Sequence, residues 1–353
     1  MVIFMKRILD KKKFEDFFEF LRAHYDVIGP TRMGTATTYA HAAFNYVRKV
    51  DQLELKYQTT IIPTKRLLLP DNEALFSFKK RNGEMVLEDL SRKWDRRSVL
   101  LGIHPCDVVA LSRLDKVFGE VHRDPYYWNR RENTIIVALT CDEPGEYCFC
   151  NVVGAGPDLE KGYDLLMTDL GDRYFVEAGS ELGASLLRID FFRNVTPEDE
   201  KDREEHLRGV KERLERNEKN RFKIEGLAEV LREKYNDVLW DEYWKRCATC
   251  GSCTMVCPTC HCFAIIDRAS VNQVEGKRSR VWDSCLFERF AQIAGGLNFR
   301  EEKSSRFKHR IYDKFLYPVI MYGVPLCVGC GRCIKFCWCG IDMRDALRRL
   351  MEG

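Results

Sequence analysis

CATCGSCTMVCPTCHC at residues 247–262 and CVGCGRCIKFC at residues 327–337 carry the spacing on which the chain turns: Cys247, Cys250, Cys253 and Cys257 before Pro258, then Cys327, Cys330, Cys333 and Cys337. A short loop with a thiolate every third residue wraps three corners of an iron–sulfur cube, and the fourth cysteine of such a run reaches the other cube. The spacing therefore predicts two [4Fe-4S] clusters. Cys247, Cys250, Cys253 and Cys337 are expected to hold the first, and Cys327, Cys330, Cys333 and Cys257 the second. Structural zinc sites are usually built from two separated pairs of ligands, and here a four-cysteine run occurs twice. Where a proline usually follows the fourth cysteine, Cys337 is followed by Trp338 and Cys339. That departure bears on the local turn rather than on the ligands.

Four further thiols belong to the first half of the chain. Ser98 to Ile103 (SVLLGI) leads through His104 and Pro105 to Cys106, and Thr134 to Leu139 (TIIVAL) leads to Cys141. Both runs read as buried strands with a cysteine at the C-terminal end, where open α/β sheets place ligands. Cys148 and Cys150 complete the loop CDEPGEYCFC. Cys106, Cys141, Cys148 and Cys150 are expected to hold a third [4Fe-4S] cluster, the alternatives being buried thiols or a zinc site of unusual spacing. Cys260, Cys262, Cys285 and Cys339 are left as thiols packed near the cubes, and His104 and His261 as satisfied loop histidines. Arg130 and Arg131 read as a solvated loop.

The fold class expected is α+β. It comprises an N-terminal α/β domain (1–195) with the cysteine-rich loop, a charged helical linker (196–240), and a mainly helical, ferredoxin-type dicluster domain (241–353). Phe14, Phe17, Phe18 and Leu21 have helical spacing, and 164–169 with 174–177 reads as a hairpin. Thr196 before Pro197 reads as a helix N-cap opening the charged stretch. The long segment between Cys257 and Cys327 shows apolar residues at helical spacing.

The 353 residues carry 57 basic and 54 acidic side chains and are 45% hydrophobic, which gives core enough for two domains and no basic groove for nucleic acid. The opening MVIFMKRILDKKK has no signal-peptide core, and no apolar stretch is long enough to span a bilayer. The expectation is a cytoplasmic protein with no direct membrane insertion, and the abundance of Lys, Glu and Arg suits a heat-adapted source.

HPCD at 104–107, DPYY at 124–127, the loop at 141–150, the run at 247–262, WDSC at 282–285, AGG at 294–296 and CVGCGRC at 327–333 together resemble the β subunits of archaeal soluble sulfhydrogenases and the related A subunit of anaerobic sulfite reductase. The resemblance spans nearly the whole chain. It implies an electron-transfer subunit between a flavin subunit (γ) that binds NAD(P) and a [NiFe] hydrogenase module of small (δ) and large (α) subunits, or alternatively a sulfite-reducing module. The chain shows no Gly-x-Gly-x-x-Gly after a strand, no P-loop and no paired Cys-x2-Cys motifs for nickel, so no catalytic residues are expected in it. Two readings of other classes stand beside this one. One is a zinc-stabilised interaction module; the other is a lone catalyst with a cluster held by Cys260, Cys262 and Cys285.

Overall fold

The computed structural model describes residues 5–33, 42–91 and 97–352; the first four residues of the opening peptide lie outside it. Among the described residues there are eleven strands, β1 (Lys6–Asp10), β2 (Asp26–Arg32), β3 (Ala42–Tyr46), β4 (Asn72–Arg81), β5 (Glu84–Asp89), β6 (Ser98–Ile103), β7 (Thr134–Leu139), β8 (Leu165–Asp169), β9 (Arg173–Ala178), β10 (Phe263–Ala269) and β11 (Glu275–Trp282). Seven of them form a sheet in the order β1-β9-β8-β7-β6-β2-β3. Its centre, β2, β6, β7 and β8, is parallel, which is why SVLLGI and TIIVAL read as near-continuous apolar runs: both their faces are covered. The helix Phe14–His24 covers one face with Phe14, Phe17, Phe18 and Leu21; the helix Pro105–Val117 covers the other with Val108, Leu111 and Leu114. β8 and β9 are the expected hairpin.

The second sheet, β10-β11-β4-β5, is antiparallel and draws two strands from each half of the chain. Several apolar stretches of helical spacing were expected in the segment between the cysteine runs. Helices do occupy Lys303–Phe315 and Tyr317–Tyr322, but residues 263–282 form a hairpin instead. The reason is non-local. Arg280 on β11 stands opposite Glu73 on β4, with both side chains buried and the Nη2–Oε2 distance 2.7 Å, and Arg280 also binds Asp124 at 2.5 Å. Arg130 joins Glu73 from the helix Pro125–Glu132, and Arg131 binds Asp115 at 3.1 Å, so neither arginine is a solvated loop residue.

The stretch 196–240, expected as a solvated linker, is packed. The helix Pro197–Glu215 buries Leu207, Val210 and Leu214, and the helix Leu227–Glu233 buries Leu227 and Leu231. Leu214, Leu227 and Leu231 join one core with Phe149 and Val153 from the first half and Phe307, Ile311 and Leu347 from the last third. High charge on one face hid a narrow apolar stripe on the other.

The Thr196 cap is as expected, closed by Asp199, whose carboxylate accepts from Thr196 N at 2.9 Å and is gripped by Arg193 at 2.8 Å and Arg173 at 2.6 Å. Hydrogen bonding to Arg193 and the cap hold the Asp199 carboxyl well below the usual carboxylate range. Its folded pKa lies below its unfolded one, so this stabilisation is complete above about pH 4 and is lost as pH falls through the folded value. Acid unfolding of Asp199→Asn should therefore be shallower than that of the parent below about pH 4. Parallel curves would refute the assignment.

Candidate metal centres

The two cysteine runs have the same backbone. Thr249 and Gly251 in the first, and Gly329 and Gly331 in the second, take positive φ (51°, 74°, 63° and 72°), and each run then enters one helical turn, Ser252–Met255 or Arg332–Lys335. The left-handed residues curl each loop so that its thiols face inward, which is the local reason for a glycine after the second cysteine. After Cys337 the missing proline is replaced by a turn closed on Gly340 (φ 61°), whose N–H donates to the Cys337 carbonyl at 3.2 Å, with Trp338 left exposed.

Tertiary packing crosses the runs over. One cavity is lined by Cys247, Cys250, Cys253 and Cys337, the first expected set, together with Cys333 and Cys339. Cys257, expected with the second run, is near enough for its charge to act on that run, and its thiol also meets that of Cys260. Burial pushes the Cys327, Cys330 and Cys333 thiols up, Cys330 to about 12, and the negative charge of Cys257 adds to all three. Another cavity is lined by Cys106, Cys141, Cys148 and Cys150, the third expected set. Cys106 lies in the first turn of the helix after β6, Cys141 follows β7, and the loop carrying Cys148 and Cys150 is held by the Phe149 N–H donating to the Gly329 carbonyl at 2.7 Å. Among the described residues no three Cys, His, Asp or Glu side chains converge on a position for a single metal ion. A cube is larger than an ion and fits a cavity rimmed by thiols, so the donor sets suit iron–sulfur clusters better than zinc.

His104 and His261 are both buried and both occupied. His104 stacks on Tyr57 with ring centroids 3.9 Å apart, and burial pushes it down to about 4. The His261 Nδ1 lies 3.2 Å from the Thr259 carbonyl. What the sequence reading missed is a set of buried cations beside the cysteine loops. Arg113 donates to the carbonyls of Cys327 and Val153, Arg310 to that of Cys253 at 3.3 Å, Lys314 to that of Thr259 at 3.2 Å, and Lys65 to that of Cys260 at 2.6 Å. Arg332, between Cys330 and Cys333, grips Asp107 through two 2.7 Å bonds. Buried cations need anions nearby, and thiolate-bound clusters are anionic. One signal was legible: Arg306, Arg310 and Lys314 recur every fourth residue beside Phe307, Ile311 and Phe315, so the cations share the helix's buried side.

Fold and thiol geometry define an iron–sulfur protein, and the comparisons agree. A family model described as a 4Fe-4S dicluster domain matches residues 246–341. The chain is 36% identical over 351 residues to the sulfhydrogenase 2 subunit beta of Pyrococcus furiosus, covering 98% of each chain. It belongs to the sulfhydrogenase β-subunit family, a family of hydrogenase-related electron transfer. No solved structure matches it. Among the described residues no helix is long and apolar enough to cross a membrane.

Proposed function

We propose that this chain is the electron-transfer subunit of an NAD(P)-linked [NiFe] hydrogenase of the sulfhydrogenase type, conducting between a flavin subunit and the hydrogenase small and large subunits through three [4Fe-4S] clusters. The observation that carries the reading is a continuity of thiols. Cys330 of the second set also lines the cavity of the third, and Cys333 of the second set also lines the cavity of the first. The second set would thus adjoin both others, as a wire requires.

Cys247, Cys250, Cys253 and Cys337 would hold the first cube, Cys327, Cys330, Cys333 and Cys257 the second, and Cys106, Cys141, Cys148 and Cys150 the third. Bound cubes supply one-electron carriers. The protein's share is to exclude water from them with Phe149, Phe307 and Ile311, and to offset their charge with Arg113, Arg310 and Arg332. Substrate chemistry would belong to the partner subunits.

Iron, acid-labile sulfide and zinc are to be measured on anaerobically purified protein. About twelve irons per chain are expected for these three cubes, and Cys148→Ser should remove about four. Unchanged iron in that variant would remove the third cube, and stoichiometric zinc with little iron would end the electron-transfer reading. Native purification should bring down flavin and nickel-iron subunits, and methyl viologen assays with protons and with sulfite separate the hydrogenase from the sulfite-reductase assignment.

A further inference from the structure

Three thiols outside the three sets are drawn together by the hairpin that the sequence did not disclose. Cys260 and Cys262 lie just before β10 and Cys285 just after β11. Phe263 pairs with Trp282, and beyond them the Asp283 N–H donates to the Cys262 carbonyl at 3.0 Å, so the closing end of the hairpin carries Cys285 to Cys262. Cys260 and Cys285 are buried, 4% and 1% exposed, and Cys262 is half-buried. The turn that presents Cys285 is locked. The Ser284 hydroxyl accepts from Leu286 N at 3.1 Å and from the Thr254 hydroxyl at 2.8 Å, which ties it to the first cysteine run.

The surroundings are cationic and dry. Lys65 reaches the Cys260 carbonyl from the first half of the chain, its ammonium 4.2 Å above the Trp282 ring. Lys314 reaches the neighbouring Thr259 carbonyl, and Arg310 donates to the Cys253 carbonyl at 3.3 Å. All three cations are buried to 3% exposure or less, and Asp313 lies 3.1 Å from Lys314. Arg310 also lines the cavity of the first set, so beyond that pair the charge left at this corner is that of Lys65, and burying it is unfavourable unless an anion stands near. The groups beside Lys65 are thiols, Cys260, Cys257 and Cys262, of which Cys257 is assigned to the second set. Thiols become anionic in a dry site when a metal takes their protons.

We infer that Cys260, Cys262 and Cys285 hold a further iron–sulfur cluster, next to the second set, at a buried corner whose positive charge comes from Lys65 and Lys314. A lone zinc ion is disfavoured because no three such side chains converge on an ion position among the described residues. Three thiolates leave one corner of a cube to a ligand that is not cysteine, on the side where Cys262 is half-exposed. The inference shares with the electron-wire reading only the premise that the chain is loaded with iron.

The test compares full-length wild type with the triple variant Cys260→Ser, Cys262→Ser, Cys285→Ser, both purified anaerobically, by iron, sulfide and zinc per chain and by Mössbauer spectroscopy. Wild type should carry about sixteen irons, one of them with a spectrum outside all-cysteine ligation, and the variant about four fewer. Equal iron in the two proteins, at about twelve per chain, overturns this inference and leaves the electron wire standing. Little iron in wild type overturns both. Loss of zinc rather than iron, or a Cys262–Cys285 disulfide in wild type by mass spectrometry, also overturns it. Should the triple variant fail to fold, Cys262→Ser alone, at the half-exposed position, must lose iron or show a three-iron EPR signal; an unaltered spectrum counts against the cluster.

Discussion

Arg332→Met is expected to destabilise the folded chain by about 3–5 kcal/mol, the range for breaking a buried ion pair from one side. Arg332 and Asp107 are at most 1% exposed, and the guanidinium is used on nearly every side. Nη1 and Nη2 each donate to Asp107 at 2.7 Å, Nε donates to the Thr60 carbonyl at 2.7 Å, and Nη2 also donates to the Thr60 hydroxyl at 3.0 Å. Methionine fills much of the volume but leaves the Asp107 carboxylate and the Thr60 carbonyl desolvated and unpaired. Because Arg332 lies between Cys330 and Cys333 while Asp107 follows Cys106, the pair also pins the second thiol set to the third. The thermal midpoint and the iron content should fall together. Arg332→Lys keeps the charge without the fork and should be intermediate. In the double variant Arg332→Met, Asp107→Asn the buried charge is gone, so much of the loss should return. A midpoint for Arg332→Met within about 1 kcal/mol of wild type would show that the pair contributes little.

Gly331→Ala is expected to do comparable damage by a different route. Gly331 has φ 72°, and a Cβ placed there would stand 2.5 Å from the Tyr147 carbonyl oxygen and 2.6 Å from its carbon. No rotamer relieves a clash between Cβ and backbone. The loop at 147–150 must retreat, which breaks the bond from Phe149 N–H to the Gly329 carbonyl and moves Cys148 and Cys150 away from Cys330. Gly340→Ala is the control, since Gly340 also has positive φ, 61°, but nothing lies within 4 Å of its Cβ position. The control should cost only the left-handed conformation, about 1–2 kcal/mol. Gly331→Ala should exceed it by several kcal/mol and lose iron from the N-terminal set. Equal thermal midpoints and equal iron for the two variants would refute the close approach.

The legible parts of the fold were those in which neighbouring residues settle the conformation. TIIVAL and SVLLGI are strands because apolar β-branched and aliphatic runs of that length suit a sheet covered on both faces, and each ends at the cysteine the pattern placed there. Thr196 with Pro197 caps a helix because hydroxyl and ring meet the unsatisfied N–H groups of the first turn. FAIIDRA and EGKRSRVW were not legible as strands, since their pairing rests on β4, and the Arg280–Glu73 contact joins residues 207 positions apart. The charged stretch after Thr196 misled because burial of Leu207, Val210 and Leu214 depends on a surface supplied by other segments.

The sequence by itself determined the iron–sulfur character of the protein and its family, because a thiol every third residue bends one short loop around a cube and that geometry is local. Only the tertiary structure decided which distant elements meet: Cys337 with the first run and Cys106 with the loop at 141–150. It also decided which cations, Lys65, Arg113, Arg310, Lys314 and Arg332, are buried beside them. Coulomb forces and desolvation act between groups that are near in space, and spacing along the chain does not record that distance.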